Sequence, residues 1–179
     1  NPVLVFTGDI VQSGGGADDQ EYEEFSNLCL KPITDALGIG NDRVVIAPGN
    51  HEIDTSAIKS DDFLKESEPP SPDDIKRDLR SKLAGYFHFV EKTGVKSFSR
   101  KSPRITSFEI DGVTFTVLNG LIGIYSSKEG GHADFGSAFF TETELAGLLA
   151  DTSANAVICT HHPLRWFTEK SQLGLQAAF

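Results

Sequence analysis

The chain has 179 residues, enough for one domain with a sizeable core, and its 39% hydrophobic content, which includes 13 Phe, is typical of a globular protein. No apolar run approaches the ~20 residues that a membrane-spanning helix needs, and we expect no secretory signal because Asn1-Pro2 leads directly into a predicted strand. The formal net charge of -10 disfavours stable non-specific nucleic-acid binding, but it allows a phosphorylated substrate if metal ions supply local positive charge.

The first predicted strand is the apolar run Val3–Phe6, which ends at Thr7-Gly8-Asp9. Gly8 permits a sharp turn, and Asp9 places a carboxylate at the end of the strand. Apolar residues spaced by three and four then predict a helix from about Asp19 to Leu37. We expect a kink or break at Pro32, because proline lacks the amide hydrogen that the helix would use. Within this helix lies Cys29, one of two cysteines.

The two cysteines, Cys29 and Cys159, form no CxxC pattern and no recognisable metal-binding spacing. We interpret both as reduced, buried thiols. Reduced thiols favour a cytoplasmic location.

The second predicted strand, Val44–Ala47, leads into the turn Pro48-Gly49, which stops the β-branched run. The turn presents an amide oxygen, an imidazole and a carboxylate in succession, from Asn50, His51 and Glu52. By itself this pattern is also typical of an ordinary Asn turn with a surface histidine. Because ligands of α/β sheets bind at the carboxyl ends of strands, we expect Asn50 and His51 to lie at such an end.

Residues 54–74 are acidic and poor in apolar side chains, which predicts a solvated loop. Ser71, Pro72 and Asp74 then form the N-terminal pattern of a helix. Its apolar stripe contains Ile75, Leu79, Leu83, Tyr86 and Val90.

Two strand-like runs, Ile105–Ile110 and Val113–Leu118, are joined by Asp111-Gly112, a strong signal for a two-residue hairpin. Thr141 and Glu144 form a capping box for a helix that runs to about Ala150.

Three predicted strands end in polar clusters: Gly8-Asp9, Gly49-Asn50-His51 and, after the last strand Ala156–Cys159, His161-His162-Pro163. Carboxylate, amide and imidazole groups together suit Mn, Fe, Zn and similar divalent ions. We expect the three strands to share one sheet. We also expect Asp9, Asn50 and His161 to converge on one metal position.

With these clusters in this order, the sequence resembles the calcineurin-like metallophosphoesterase superfamily. That family is marked by five blocks: Asp-x-His, Gly-Asp, Gly-Asn-His, a His block and Gly-His-x-His. The resemblance covers nearly the whole chain, and residues 3–14 and 160–166 are especially similar to bacterial members. It implies a two-sheet α/β/β/α sandwich of the metallo-dependent phosphatase type. It also implies a phosphatase or phosphodiesterase that uses a hydroxide bridging two divalent metal ions.

The resemblance implies a role for each matching residue. Asp9 would bridge the two metals, and Asn50 and His161 would bind the second metal. Asn50 would also contact the phosphate. His51 would stabilise charge or protonate the leaving oxygen, and His162 would contact the substrate rather than a metal.

The sequence departs from the family pattern in two ways. The Asp-x-His block would lie before Val3 and the Gly-His-x-His block beyond Phe179. Residues 1–179 would then be one metallophosphoesterase domain that continues past both ends, and we expect them to hydrolyse phosphate esters poorly by themselves. Gln12 stands where some of these phosphatases carry an Asp that orients the catalytic histidine. A neutral amide would stabilise a protonated His51 less than a carboxylate would.

The alternative from another class is a non-catalytic module that keeps the fold and binds a partner or nucleotide through an incomplete metal site. The flanking sequence would distinguish it from the enzyme. A Rossmann-type dinucleotide binder is excluded, because no GxGxxG opens a helix after a strand. The choice of metal and the choice between monoester and diester stay open at this point.

Overall fold

The computed structural model describes residues 1–12, 14, 20–54, 57, 71–120, 138–151 and 155–178. Within these residues the strands form two sheets, which confirms the predicted two-sheet α/β fold. In the first sheet, β1 (Leu4–Phe6) runs parallel to β2 (Val44–Ile46). The second sheet has the order β3-β4-β5, with β3 at Ile105–Ile110, β4 at Val113–Leu118 and β5 at Ala156–Cys159.

The predicted hairpin connects β3 and β4. Its turn residues, Asp111 and Gly112, have φ angles of 52° and 76°. Two successive positive φ angles are what a type I′ turn requires, and this turn matches the twist of the strands. The hairpin therefore forms where local turn chemistry predicts it.

The expectation that β5 shares a sheet with β1 and β2 is wrong, because β5 runs parallel to β4, with Phe115 opposite Val157. An apolar run predicts that a strand is buried, but it does not specify which strand edge it pairs with. The two sheets are joined instead through their side chains. Val45 and Ile46 of the first sheet and Val117 and Cys159 of the second belong to one buried hydrophobic cluster.

The predicted first helix is described from Gln20 onward and remains helical to Leu37. It consists of α1 (Gln20–Phe25), a π-helical turn (Ser26–Leu30) and α2 (Lys31–Leu37). The expected disturbance at Pro32 is thus a change of hydrogen-bond spacing in the turn just before it, and Pro32 itself stands in the first turn of α2, where its missing N–H costs little.

The second predicted helix is divided into α3 (Pro72–Lys82) and α4 (Ala84–Thr93). Ser71 caps α3 as predicted, accepting the N–H of Asp74 at 3.2 Å. Leu83, with φ -109° and ψ 27°, separates the two helices. The whole predicted apolar stripe is buried at less than 10% exposure: Ile75, Leu79, Leu83, Tyr86 and Val90.

A smaller core lies beside the second sheet. The helix α5 (Glu142–Asp151) begins with the predicted capping box, in which the Glu144 N–H donates to Thr141 Oγ1 and the Thr141 N–H donates to Glu144 Oε2. It packs against α6 (Glu169–Ala178), a helix that the sequence analysis did not predict. No helix in the described part of the chain has the length and apolar character needed to cross a membrane.

Candidate metal centre

Asp9 follows β1 in a left-handed backbone conformation, with φ at 56°, which is uncommon for a residue other than glycine. Gly8 before it has φ at 98°. A Cβ atom on Gly8 would lie 2.5 Å from the amide nitrogen of Gly49 and 2.7 Å from Nδ1 of His161. Only glycine therefore lets the three strand ends come this close.

The turn after β2 is a 3-10 helix, Asn50–Glu52. Asn50 and His51 are exposed, as predicted, but Glu52 points inward and is 0% exposed. The expectation that the turn presents all three polar groups is thus wrong for Glu52. Its carboxylate accepts the N–H groups of Asp9 (2.9 Å), Ile10 (2.7 Å), Val11 (3.3 Å) and Gly49. Burial raises the pKa of Glu52, and these four hydrogen bonds oppose that shift.

One signal for this inward orientation was available in the sequence. Glu52 stands three residues after Gly49, and a glutamate at that spacing commonly reaches back to the backbone N–H at the start of a helical turn.

His161 is oriented by the main chain of the Asp9 loop. Its Nδ1 lies 2.6 Å from the carbonyl oxygen of Thr7. A carbonyl only accepts hydrogen bonds, so Nδ1 carries the hydrogen and donates it. In the neutral ring the lone pair is then on Nε2. That atom lies 3.1 Å from Asn50 Oδ1 and 3.4 Å from Asp9 Oδ2.

These three atoms have the spacing of ligands around one cation. Ligand atoms about 2.1 Å from a common ion lie roughly 3.0–3.4 Å apart when the bond angles are about 90–110°. A carboxylate oxygen, an amide oxygen and an imidazole lone pair that face one another repel unless a positive charge lies between them. The structure thus brings Asp9, Asn50 and His161 together, and this donor set fits a divalent ion. Their roles as ligands stay predictions.

His51 lies next to this cluster and is held at two points. Its backbone N–H donates to Asp9 Oδ1 at 3.2 Å, and its Nδ1 donates to the carbonyl oxygen of Gln12 at 2.8 Å. The group at position 12 that orients His51 is thus the main-chain carbonyl, which the sequence analysis did not consider. Nε2 is the ring nitrogen left for a substrate.

His162 is only 3% exposed and lies behind His161, with 4.7 Å between the two ring centroids. It also packs against Trp166, at 5.0 Å. Burial, and then the neighbouring His161, lower the pKa of His162 to about 4, so the ring is neutral at neutral pH. The substrate contact expected for His162 stays a prediction, and a ring this buried does not favour it.

A cleft of about 520 Å³ adjoins Asp9 and His51. Gln12 completes the polar side of the cleft, and Phe25 and Leu28 form an apolar wall opposite. Leu28 belongs to the π-helical turn and is 78% exposed, an unusual exposure for so large an apolar side chain. The volume is within the range of small-molecule sites.

Within the residues that the structure describes, no group of three or more His, Cys, Asp or Glu side chains could hold a metal ion. The cluster above contains two such residues, Asp9 and His161, together with the amide of Asn50. Most of the acidic loop expected at residues 54–74 lies outside the described residues.

The comparison with known families bears on most of the chain. The family model described as calcineurin-like phosphoesterase matches residues 1–173, a range that includes all three strand-end clusters. No curated protein matches the chain.

Proposed function

The chain belongs to the calcineurin-like phosphoesterase family, whose members are phosphoesterases that generally depend on divalent metals, and from this membership we propose a specific reaction. The protein hydrolyses a phosphomonoester or phosphodiester at a centre of two divalent ions, such as Mn, Fe or Zn. Asp9 is the carboxylate shared by the two ions, and Asn50 and His161 bind the second one.

The convergence of His161 Nε2 on Asn50 Oδ1 and Asp9 Oδ2, at 3.1 and 3.4 Å, carries this proposal. The hydrogen bond from His161 Nδ1 to the Thr7 carbonyl fixes the ring so that its lone pair faces the two oxygens. Divalent ions bound at such a centre would neutralise phosphate charge and lower the pKa of a coordinated water.

The remaining polar groups handle the substrate. Asn50 contacts a phosphate oxygen through its amide. His51, fixed through Nδ1 by the Gln12 carbonyl, gives a proton from Nε2 to the leaving oxygen as the bond from phosphorus to that oxygen breaks. Water supplies the new oxygen on phosphorus. The cleft beside His51 accepts the leaving group, whose apolar part lies against Phe25 and Leu28.

The experiment measures the hydrolysis of bis(p-nitrophenyl) phosphate and of p-nitrophenyl phosphate, with Mn²⁺ and with a chelator. It uses the protein as its gene encodes it and, in parallel, residues 1–179. We expect hydrolysis that depends on Mn²⁺, stops with chelator and is lost in His161→Ala. Turnover that survives thorough chelation, or that His161→Ala leaves intact, would contradict the proposal.

A second candidate is a non-catalytic module that binds metal or nucleotide through an incomplete site. It is favoured by one observation, namely that Asp9 and His161 have no third His, Cys, Asp or Glu beside them among the described residues. Mn²⁺ binding by the complete gene product without hydrolysis of either ester would select this candidate.

A further inference from the structure

Glu52 is the most deeply buried carboxylate described in the chain, yet it immediately follows two exposed residues of the candidate centre, Asn50 and His51. Each of its oxygens accepts two backbone N–H groups. Oε1 accepts from Ile10 and Val11, and Oε2 accepts from Asp9 and Gly49. The carboxylate thereby joins the loop after β1 to the turn after β2.

Three of these donors are consecutive. The left-handed conformation of Asp9 directs the N–H groups of Asp9, Ile10 and Val11 to one point, and such a concave group of amides binds anions. Here the anion is the side chain of Glu52. Its hydrogen bonds hold Asp9 in a backbone conformation that an L-residue seldom adopts.

The connection is reciprocal. Glu52 accepts the N–H of Asp9, while Asp9 Oδ1 accepts the N–H of His51 at 3.2 Å. Each loop therefore provides a carboxylate to the backbone of the other. With one oxygen of Asp9 engaged in this way, the other, Oδ2, is the one that faces His161 Nε2.

We propose that Glu52 is the positioning residue of the metal centre, which sets the spacing of Asp9 and Asn50 without touching the ion. This inference rests on the proposed function, because it assumes that Asp9, Asn50 and His161 bind a divalent ion. Loss of the carboxylate releases the two loops from each other, so the ligand atoms no longer keep the spacing that one ion requires.

The competing explanation is that Glu52 only stabilises the fold. A matched control is Glu144, another carboxylate that accepts a backbone N–H and is mostly buried, with a side chain 24% exposed. It pairs with Arg104 at 3.0 Å and belongs to α5, and it contributes nothing to the candidate centre. Glu52→Gln and Glu144→Gln both replace a carboxylate oxygen with a donor that faces N–H groups, so both are expected to destabilise the protein.

The test is titration calorimetry with Mn²⁺, together with the visible absorption of bound Co²⁺, at a temperature at which circular dichroism shows all proteins folded. We expect Glu52→Gln to raise the Mn²⁺ dissociation constant at least tenfold and to change the Co²⁺ spectrum. We expect Glu144→Gln to stay within twofold of the wild type with the same spectrum. If Glu52→Gln does not fold, Glu52→Asp replaces it, because it keeps the charge but shortens the reach. For this variant we expect at least a threefold loss of affinity.

An affinity within twofold of wild type in a folded Glu52 variant would overturn the inference and leave the proposed function intact. So would an equal loss of affinity in Glu144→Gln. A wild-type protein that binds no Mn²⁺ would overturn both the inference and the proposed function.

Discussion

Asp9→Asn is the substitution that tests the candidate centre most directly, because it removes a charge and little else. Asparagine has nearly the same shape as aspartate and tolerates the left-handed conformation that Asp9 adopts, with φ at 56°. Its amide oxygen can still accept the N–H of His51. A loss of metal binding in this variant would therefore report the missing charge rather than a displaced loop.

The size of the effect follows from the exposure of the site. The Asp9 side chain is 38% exposed, so a water-like dielectric constant is the conservative choice. A single negative charge about 2.1 Å from a doubly charged ion at a dielectric constant of ~80 contributes about 4 kcal/mol. Because about 1.4 kcal/mol corresponds to a factor of ten, we expect Mn²⁺ to bind roughly a thousandfold more weakly.

The control is Asp111→Asn. Asp111 also has a positive φ, 52°, but it lies in the β3–β4 turn and pairs with Arg43. Titration calorimetry with Mn²⁺ and metal-dependent ester hydrolysis are measured for both variants. If Asp9→Asn binds Mn²⁺ within tenfold of wild type, or if Asp111→Asn weakens binding as much, Asp9 is not a charged ligand and the reasoning fails.

Three further outcomes are expected. His51→Gln should leave Mn²⁺ affinity unchanged and lower kcat by about 10²–10⁴, more for a phenyl than for a p-nitrophenyl ester, as steady-state rates would show; an equal loss for both esters contradicts proton donation. Burial raises the pKa of Glu144, but the charge of Arg104 and hydrogen bonds more than offset it, so the folded pKa is below its usual value. The stabilisation is then present above about pH 4.5 and lost as pH falls through the folded pKa, so the difference in unfolding midpoint between wild type and Glu144→Gln should shrink from pH 6 to pH 3, and a constant difference refutes this. Burial raises the pKa of the Cys159 thiol to about 11, so Ellman's reagent should label Cys29, which is only partly buried, well before Cys159, and simultaneous labelling contradicts this.

The features that the sequence predicted well are those decided by neighbouring residues. The Asp111-Gly112 turn and the caps at Ser71 and Thr141 form because a few adjacent groups satisfy one another's hydrogen bonds. The buried stripe of α3 and α4 follows in the same way from helical periodicity. These features depend little on the rest of the fold.

The features that the sequence predicted poorly depend on distant parts of the chain. The pairing of β5 with β4 rather than with the first sheet is a choice between strand edges that an apolar run does not encode. The cysteines show the same limit, because both were expected to be buried, whereas only Cys159 is and Cys29 is partly exposed. Cys29 lies in the π-helical turn before Pro32, and the helical spacing used to place it did not include that turn.

The candidate centre combines both kinds of feature. The sequence marks Asn50, His51 and Glu52 as polar residues after a strand, but a 3-10 turn has about three residues per revolution, so its three side chains point in different directions. Only one of them can face the protein interior. A buried carboxylate is costly unless donors surround it, and the loop after β1 offers Asp9, Ile10 and Val11 as three of the four donors. The inward choice of Glu52 is thus decided by the partner loop, and the same contact leaves Asn50 and His51 facing outward beside Asp9.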